Sequence, residues 1–124
     1  MFIFFLVVLL LIPLTMVGFG GRWQKSPPKE INMAYGYRTT WSMKNQNTWN
    51  FAHSYAGKIW FYTGVPLAVT SVVFLTIFRN LVLDELGDIV LIITAFQIVC
   101  IFLPIPLTEI ALRKKFNKDG SKKI

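Results

Sequence analysis

The segment Tyr35-Gly36-Tyr37-Arg38-Thr39-Thr40-Trp41-Ser42-Met43-Lys44-Asn45, followed by Thr48-Trp49-Asn50-Phe51-Ala52-His53 and Gly57, gathers most of the chain's chemically capable side chains. Arg38 offers a planar set of donors suited to a carboxylate or a phosphate, and Tyr35, Tyr37 and Trp41 supply faces on which a guanidinium stacks. The expectation is that Arg38 binds a phosphate headgroup or an acidic group of a partner, with Asn45 and His53 completing the hydrogen bonds. The competing expectation is structural: Arg38 fastens the loop to helix-end carbonyls or to Glu30, and Trp49 wedges its fold.

Other chemistry has little support. His53 is the single histidine. It has no cysteine or carboxylate cluster at ligand spacing, so it makes no zinc site, and its expected role is a hydrogen bond within the loop, with pH sensing as the alternative. Cys100 falls in an apolar run, where it packs as a small hydrophobe. No nucleophile is paired with a histidine, no glycine-rich loop cradles phosphate, and no two carboxylates face a common cleft. The expectation is therefore no catalytic residue, no metal and no cofactor; an enzyme acting on lipid headgroups through Arg38 and His53 is the one catalytic alternative.

The elements that must position these residues are set by three uncharged apolar runs, over 2–19, 59–78 and 89–107. A helix of about 18–20 residues covers roughly the 30 Å of a bilayer's hydrocarbon core, and a helix pairs every backbone group within one segment. The fold class is an all-α membrane protein with three transmembrane helices and a short interfacial amphipathic helix before the second. The parts are a first span (1–19), a motif loop (20–58), a second span (59–78), a short external loop (79–88), a third span (89–107) and a basic tail (108–124). Met1 is followed by no basic segment, and Gly20-Gly21 is a weak cleavage pattern, so the first run reads as an uncleaved span.

Charge sets the expected orientation. Thirteen Lys and Arg oppose six Asp and Glu, giving a net charge of +7. All the basic residues but Arg79 fall in the motif loop or the tail, which three crossings place on one side. The positive-inside rule makes that side the cytoplasm and puts the N-terminus outside. Basic residues flanking spans suit anionic lipid headgroups, not nucleic acid.

From Asn45 onward the spacing is helical: Trp49, Ala52, His53, Ala56 and Trp60 share one face, with Asn50, Ser54 and Lys58 elsewhere. Ser42 or Asn45 is the expected N-cap. Pro13, Pro66, Pro104 and Pro106 predict kinks, or hinges in a transport path. No span carries a charge, and Gln97 is read as an interhelical hydrogen bond. Asp84, Glu85 and Asp88 either start the third helix, complementing its dipole, or attract a cationic peptide or divalent ion.

Gly36-Tyr37-Arg38-Thr39, then Ser42-Met43-Lys44-Asn45, Trp49, Ala52-His53 and Gly57 at the mouth of a span, resembles the signature of the SdpI family of bacterial membrane proteins. The resemblance covers roughly Tyr35 to Leu107. It implies a cell-membrane protein conferring immunity against a secreted toxic peptide, or signalling by holding a transcriptional regulator at the membrane. On that basis Gly36, Tyr37, Arg38, Thr39, Ser42, Asn45, Trp49 and His53 are the motif and partner-binding residues. The implied partners are membrane lipids, a toxic peptide, a cytosolic regulator and other copies of the chain. The alternatives are a scaffold recruiting a cytosolic regulator through the loop and tail, and a small oligomeric transporter.

Overall fold

The computed structural model describes residues 2–29, 31 and 36–123. Its helices are α1 (Phe2–Lys25), α2 (Gln46–Phe78), α3 (Leu83–Phe102) and α4 (Pro104–Lys115). The described residues form no strand beyond an isolated Phe116–Lys122 bridge. Three helical stretches, Phe2–Lys25, Gln46–Phe78 and Leu83–Lys115, are long and apolar enough to cross a membrane. The all-helical, three-span class follows directly.

The helix bounds differ from the spans read in the sequence: α1 runs on to Lys25, and α2 and α3 differ for identifiable local reasons. The amphipathic helix and the second span are one continuous α2, because nothing between Asn45 and Phe78 stops it: Pro66 lies inside the helix. At its start the Asn45 side chain accepts from the Thr48 amide at 2.9 Å and the Thr48 hydroxyl accepts from the Asn45 amide at 3.0 Å. This capping box satisfies two otherwise open donors. Asn45 is thus the cap, and Ser42 is used elsewhere.

The last difference concerns α3. It begins at Leu83 with Val82 as N-cap, so Asp84 and Glu85 lie in the first turn and act on the helix dipole without capping. It stops at Phe102 because Pro104 and Pro106 lack the amides needed to continue the ladder. Pro104 instead opens α4 near its N-terminus, where a missing donor costs nothing.

Two apolar clusters hold the bundle. At one end Phe5, Leu9, Leu75, Leu86 and Val90 pack together. At the other, Trp23, Tyr37, Ala52, Ala56, Leu112 and Phe116 join the end of α1, the motif loop, the start of α2 and the end of α4. Between them, Gln97 of α3 donates to the Leu9 carbonyl of α1 at 2.9 Å and to Ser71 Oγ of α2 at 2.8 Å, so one amide ties three helices as its sequence position suggests.

The tail is not a loose basic strand. Thr108 and Leu112 of α4 are buried, as is Phe116 beyond it. This four-residue period lays one face on the motif loop and leaves Arg113, Lys114 and Lys115 exposed. Beyond it a turn brings the Gly120 carbonyl to Asn45 Nδ2 at 2.7 Å, closing the tail onto the cap of α2.

Candidate functional site

The motif loop is folded by its own polar side chains. Ser42 Oγ accepts from the Thr39 amide at 2.8 Å, while the Ser42 amide donates to Thr39 Oγ1 at 3.2 Å. The Ser42 hydroxyl proton is offered to the carbonyls of Tyr37 (2.9 Å) and Thr39 (3.0 Å), and the Thr48 hydroxyl reaches the Ser42 carbonyl at 3.1 Å. These short-range bonds supply the buried backbone with partners that no helix or sheet provides there.

His53 anchors the loop to α2. It is fully buried. Its Nε2 accepts from the Tyr37 amide at 2.8 Å, and its Nδ1 faces the Trp49 carbonyl at 2.8 Å. A carbonyl only accepts, so Nδ1 carries the proton and the ring is neutral. Trp23 meets the ring edge-on with centroids 5.1 Å apart, and Trp49 lies at 4.3 Å. Trp49 itself donates Nε1–H to the Pro28 carbonyl at 2.7 Å, holding the preceding linker.

Because Nε2 must stay unprotonated to accept the Tyr37 amide, the sign of a pH effect is fixed. Below about pH 6.5 the unfolded ring takes up a proton that the folded ring refuses, so stability falls as pH drops from about 6.5 to the folded value. Thermal unfolding of the detergent-solubilised protein is expected to be level from about pH 8 to 7 and to fall below about pH 6.5. A His53→Gln variant is less stable throughout and lacks that fall. A wild-type profile as flat as the variant's, down to about pH 5, would contradict the neutral buried ring.

Tyr37 connects the loop to α4. Its hydroxyl lies 3.2 Å from the Ile105 carbonyl and 3.3 Å from Glu109 Oε1. Burial, and then the negative Glu109 carboxyl, hold the phenol proton well above its ordinary pKa, so Tyr37 stays a neutral donor. Glu109 Oε2 and Thr108 Oγ1 are buried without a hydrogen-bond partner among the described residues. Glu109 was not singled out from the sequence; it acquires its role from a residue 72 positions away, a separation local patterning does not register.

Arg38 stands apart from this network. Asn45 and His53 are spent on the cap of α2 and on Tyr37, so neither joins Arg38, contrary to the expectation from their chemical type. Trp41 carries Arg113 over its ring at 5.2 Å, not Arg38. The expected partners Tyr35 and Glu30 lie outside the described residues. Arg38 is exposed, and among the described residues no hydrogen bond, ion pair or ring contact engages its guanidinium. It lines a cleft of about 230 Å³ whose walls include Trp60, Ile101, Phe102 and Ile105.

Gly36, Tyr37, Thr39, Ser42, Asn45, Trp49 and His53 therefore form one folded unit; Arg38 and Lys44 are exposed on it, and of these two Arg38 lines the cleft. The arrangement can offer a guanidinium to an anion beside an apolar cleft. Among the described residues no group of His, Cys, Asp or Glu is placed to hold a metal ion.

A membrane-embedded helical bundle with a folded motif loop at one end is the class of protein these elements define. The SdpI/YfhL protein family model matches residues 29–108, which spans the motif loop, α2 and α3, and the chain belongs to that family. It is also similar to the uncharacterized protein YfhL of Bacillus subtilis (strain 168), at 45% identity over 42 residues. That match covers 34% of this chain and 38% of YfhL, well under two thirds of either. No solved structure matches.

Proposed function

We propose that this protein protects a bacterial cell against a secreted toxic peptide, or signals its presence, and that it does so without catalysis. The SdpI resemblance supports the reading, and the observation that carries it is Arg38. Tyr37, Ser42, Trp49 and His53 are buried in the fold, whereas this cation is exposed and, among the described residues, unengaged beside a cleft, which the exposed Lys44 does not line. A guanidinium held on a rigid loop is suited to carboxylates and phosphates. We place the loop and tail in the cytoplasm and the N-terminus outside, because the basic residues concentrate at that end.

The exposed run Arg113, Lys114 and Lys115 lies on the helix packed against the motif loop. It favours a second reading, a scaffold that recruits an acidic cytosolic regulator. The two readings are separated by challenging a sensitive bacterium with a panel of secreted toxic peptides at equal membrane levels of each variant. Protection by the wild type, with survivors reduced about tenfold or more in Arg38→Ala and partly restored in Arg38→Lys, is the expected result, since lysine keeps the charge but not the planar fork. If the wild type protects against none of the panel, immunity gives way to the scaffold, whose signature is copurification of a soluble partner lost in Arg38→Ala.

A further inference from the structure

We propose that the cleft beside Arg38 holds one anionic glycerophospholipid, its phosphate on the guanidinium and an acyl chain running between α1 and α3 across Trp60. This names the ligand of the same arginine and rests on the reading that Arg38 is a recognition residue.

The cleft at Arg38 does not end at its apolar walls. A second cleft of about 270 Å³, lined by Leu11, Ile12, Thr15 and Met16 of α1, shares Trp60 and Ile101 with the first. The two clefts adjoin at these shared residues, with a cation lining the first and mostly apolar side chains lining the second. A free anion would satisfy Arg38 and leave the groove unfilled. A phospholipid matches both ends.

The groove is held open by its own bonds. Trp60 donates Nε1–H to the Ile101 carbonyl, near the end of α3, at 2.9 Å. Its ring stacks on Trp23 with centroids 5.2 Å apart and an interplanar angle of 16°. With its edge and one face engaged, the indole is fixed as a wall and cannot swing in to fill the space. Tryptophans with apolar faces and a bonded N–H suit the headgroup level of a bilayer.

Charge selects the headgroup. The chain carries +7 overall, and Lys25 and Arg22 in the last turn of α1 together with the basic end of α4 lie at the same end as Arg38. Glu109, whose carboxyl faces Tyr37, directs its Oε1 to that hydroxyl. An anionic headgroup is therefore favoured over a zwitterionic one.

The test is native mass spectrometry of the full chain in detergent, titrated with dioleoylphosphatidylglycerol, dioleoylphosphatidylcholine or water-soluble glycerophosphoglycerol. The variants are Arg38→Ala, which removes the phosphate contact, and Thr15→Phe, which fills the inner cleft from an exposed position. Each is first shown to unfold at the wild-type temperature. One phosphatidylglycerol retained per wild-type chain, at least tenfold over phosphatidylcholine, with retention falling at least tenfold in both variants and no uptake of the soluble headgroup, is the expected result. Equal retention of the two lipids, or variants that retain lipid like the wild type, would overturn the proposal. Uptake of soluble headgroup undiminished by Thr15→Phe would also overturn it, by assigning the site to a free phosphate. Lipid retention is read without toxin, so its failure leaves the survival experiment standing, and failed protection with retained lipid counts against immunity alone.

Discussion

Gly36→Ala will lose about 2–4 kcal/mol of folding stability, whereas Gly18→Ala, in the same protein, will be neutral or gain up to about 1 kcal/mol. Gly36 has φ +114°, a backbone conformation open to glycine and strained for any L side chain. A Cβ there would also stand 2.5 Å from His53 Nε2 and 3.3 Å from the Trp49 ring. Neither neighbour can yield, because His53 is held at both nitrogens and Trp49 is bonded to Pro28. The methyl therefore breaks the bond between the Tyr37 amide and His53, leaving a buried donor and acceptor unmet, on top of roughly 1–2 kcal/mol of backbone strain. At Gly18 a Cβ meets nothing within 4 Å, so only the helix preference for alanine remains.

The comparison is made by denaturant unfolding of both variants in mixed detergent micelles, followed by tryptophan emission. Trp23 and Trp49 both pack against His53, so the signal reports the motif core. A Gly36→Ala protein as stable as Gly18→Ala would mean that the loop does not take this backbone path. Because Arg38 sits two residues beyond Gly36, the same variant is expected to lose the survival advantage even where enough protein reaches the membrane.

The spans were legible in the sequence because lipid leaves so little choice: an uncharged run of bilayer length has to be a helix. So were the face Trp49, Ala52, His53, Ala56 and Trp60, of which all but Trp60 are buried, and the Gln97 tie, while the cap was legible only as Ser42 or Asn45. The loop chemistry was only half legible. Arg38, Asn45 and His53 look like one binding set by type, and capping and tautomer geometry divide them, since a side chain already spent on a backbone group has no bond left for a ligand. The tail shows why composition misleads. It reads only as a basic tail, yet Thr108, Leu112 and Phe116 keep a helical period beneath its lysines, and the tie from Gly120 to Asn45 spans 75 residues. The break before Pro104 was visible as a pair of prolines. That Trp60 reaches the Ile101 carbonyl just before it, and so forms the wall of a cleft, depends on two segments meeting in space.

The crossing of α1 and α2 gives the second large effect. A Cβ on Gly20 would lie 2.6 Å from the Gly57 carbonyl oxygen and 2.7 Å from the Phe61 nitrogen, and a Cβ on Gly57 would lie 2.8 Å from the Gly20 carbonyl oxygen. These are backbone atoms of facing helices, so no rotamer change relieves the clash and the helices must part. Helix association in lipid has no hydrophobic drive and relies on close packing, so even a small separation weakens the interface along its length. That loss exceeds the roughly 1 kcal/mol alanine contributes as the better helix former, and Gly20→Ala is expected to cost about 2–4 kcal/mol. Gly21→Ala, whose Cβ would stand 3.5 Å from the Phe61 ring in ordinary contact, is expected to be tolerated. The double variant Gly20→Ala, Gly57→Ala should cost less than the sum of its parts, because helices already parted by the first methyl accommodate the second. Unfolding in the same micelles measures the wild type, Gly20→Ala, Gly21→Ala, Gly57→Ala and the double variant. Additive costs, or a Gly20→Ala protein within about 0.5 kcal/mol of the wild type, would show that the two glycines do not face each other. The separation also has a functional reading: it carries Trp23 away from both His53 and Trp60, so Gly20→Ala is expected to open the wall beside Arg38 and weaken protection without touching the motif itself.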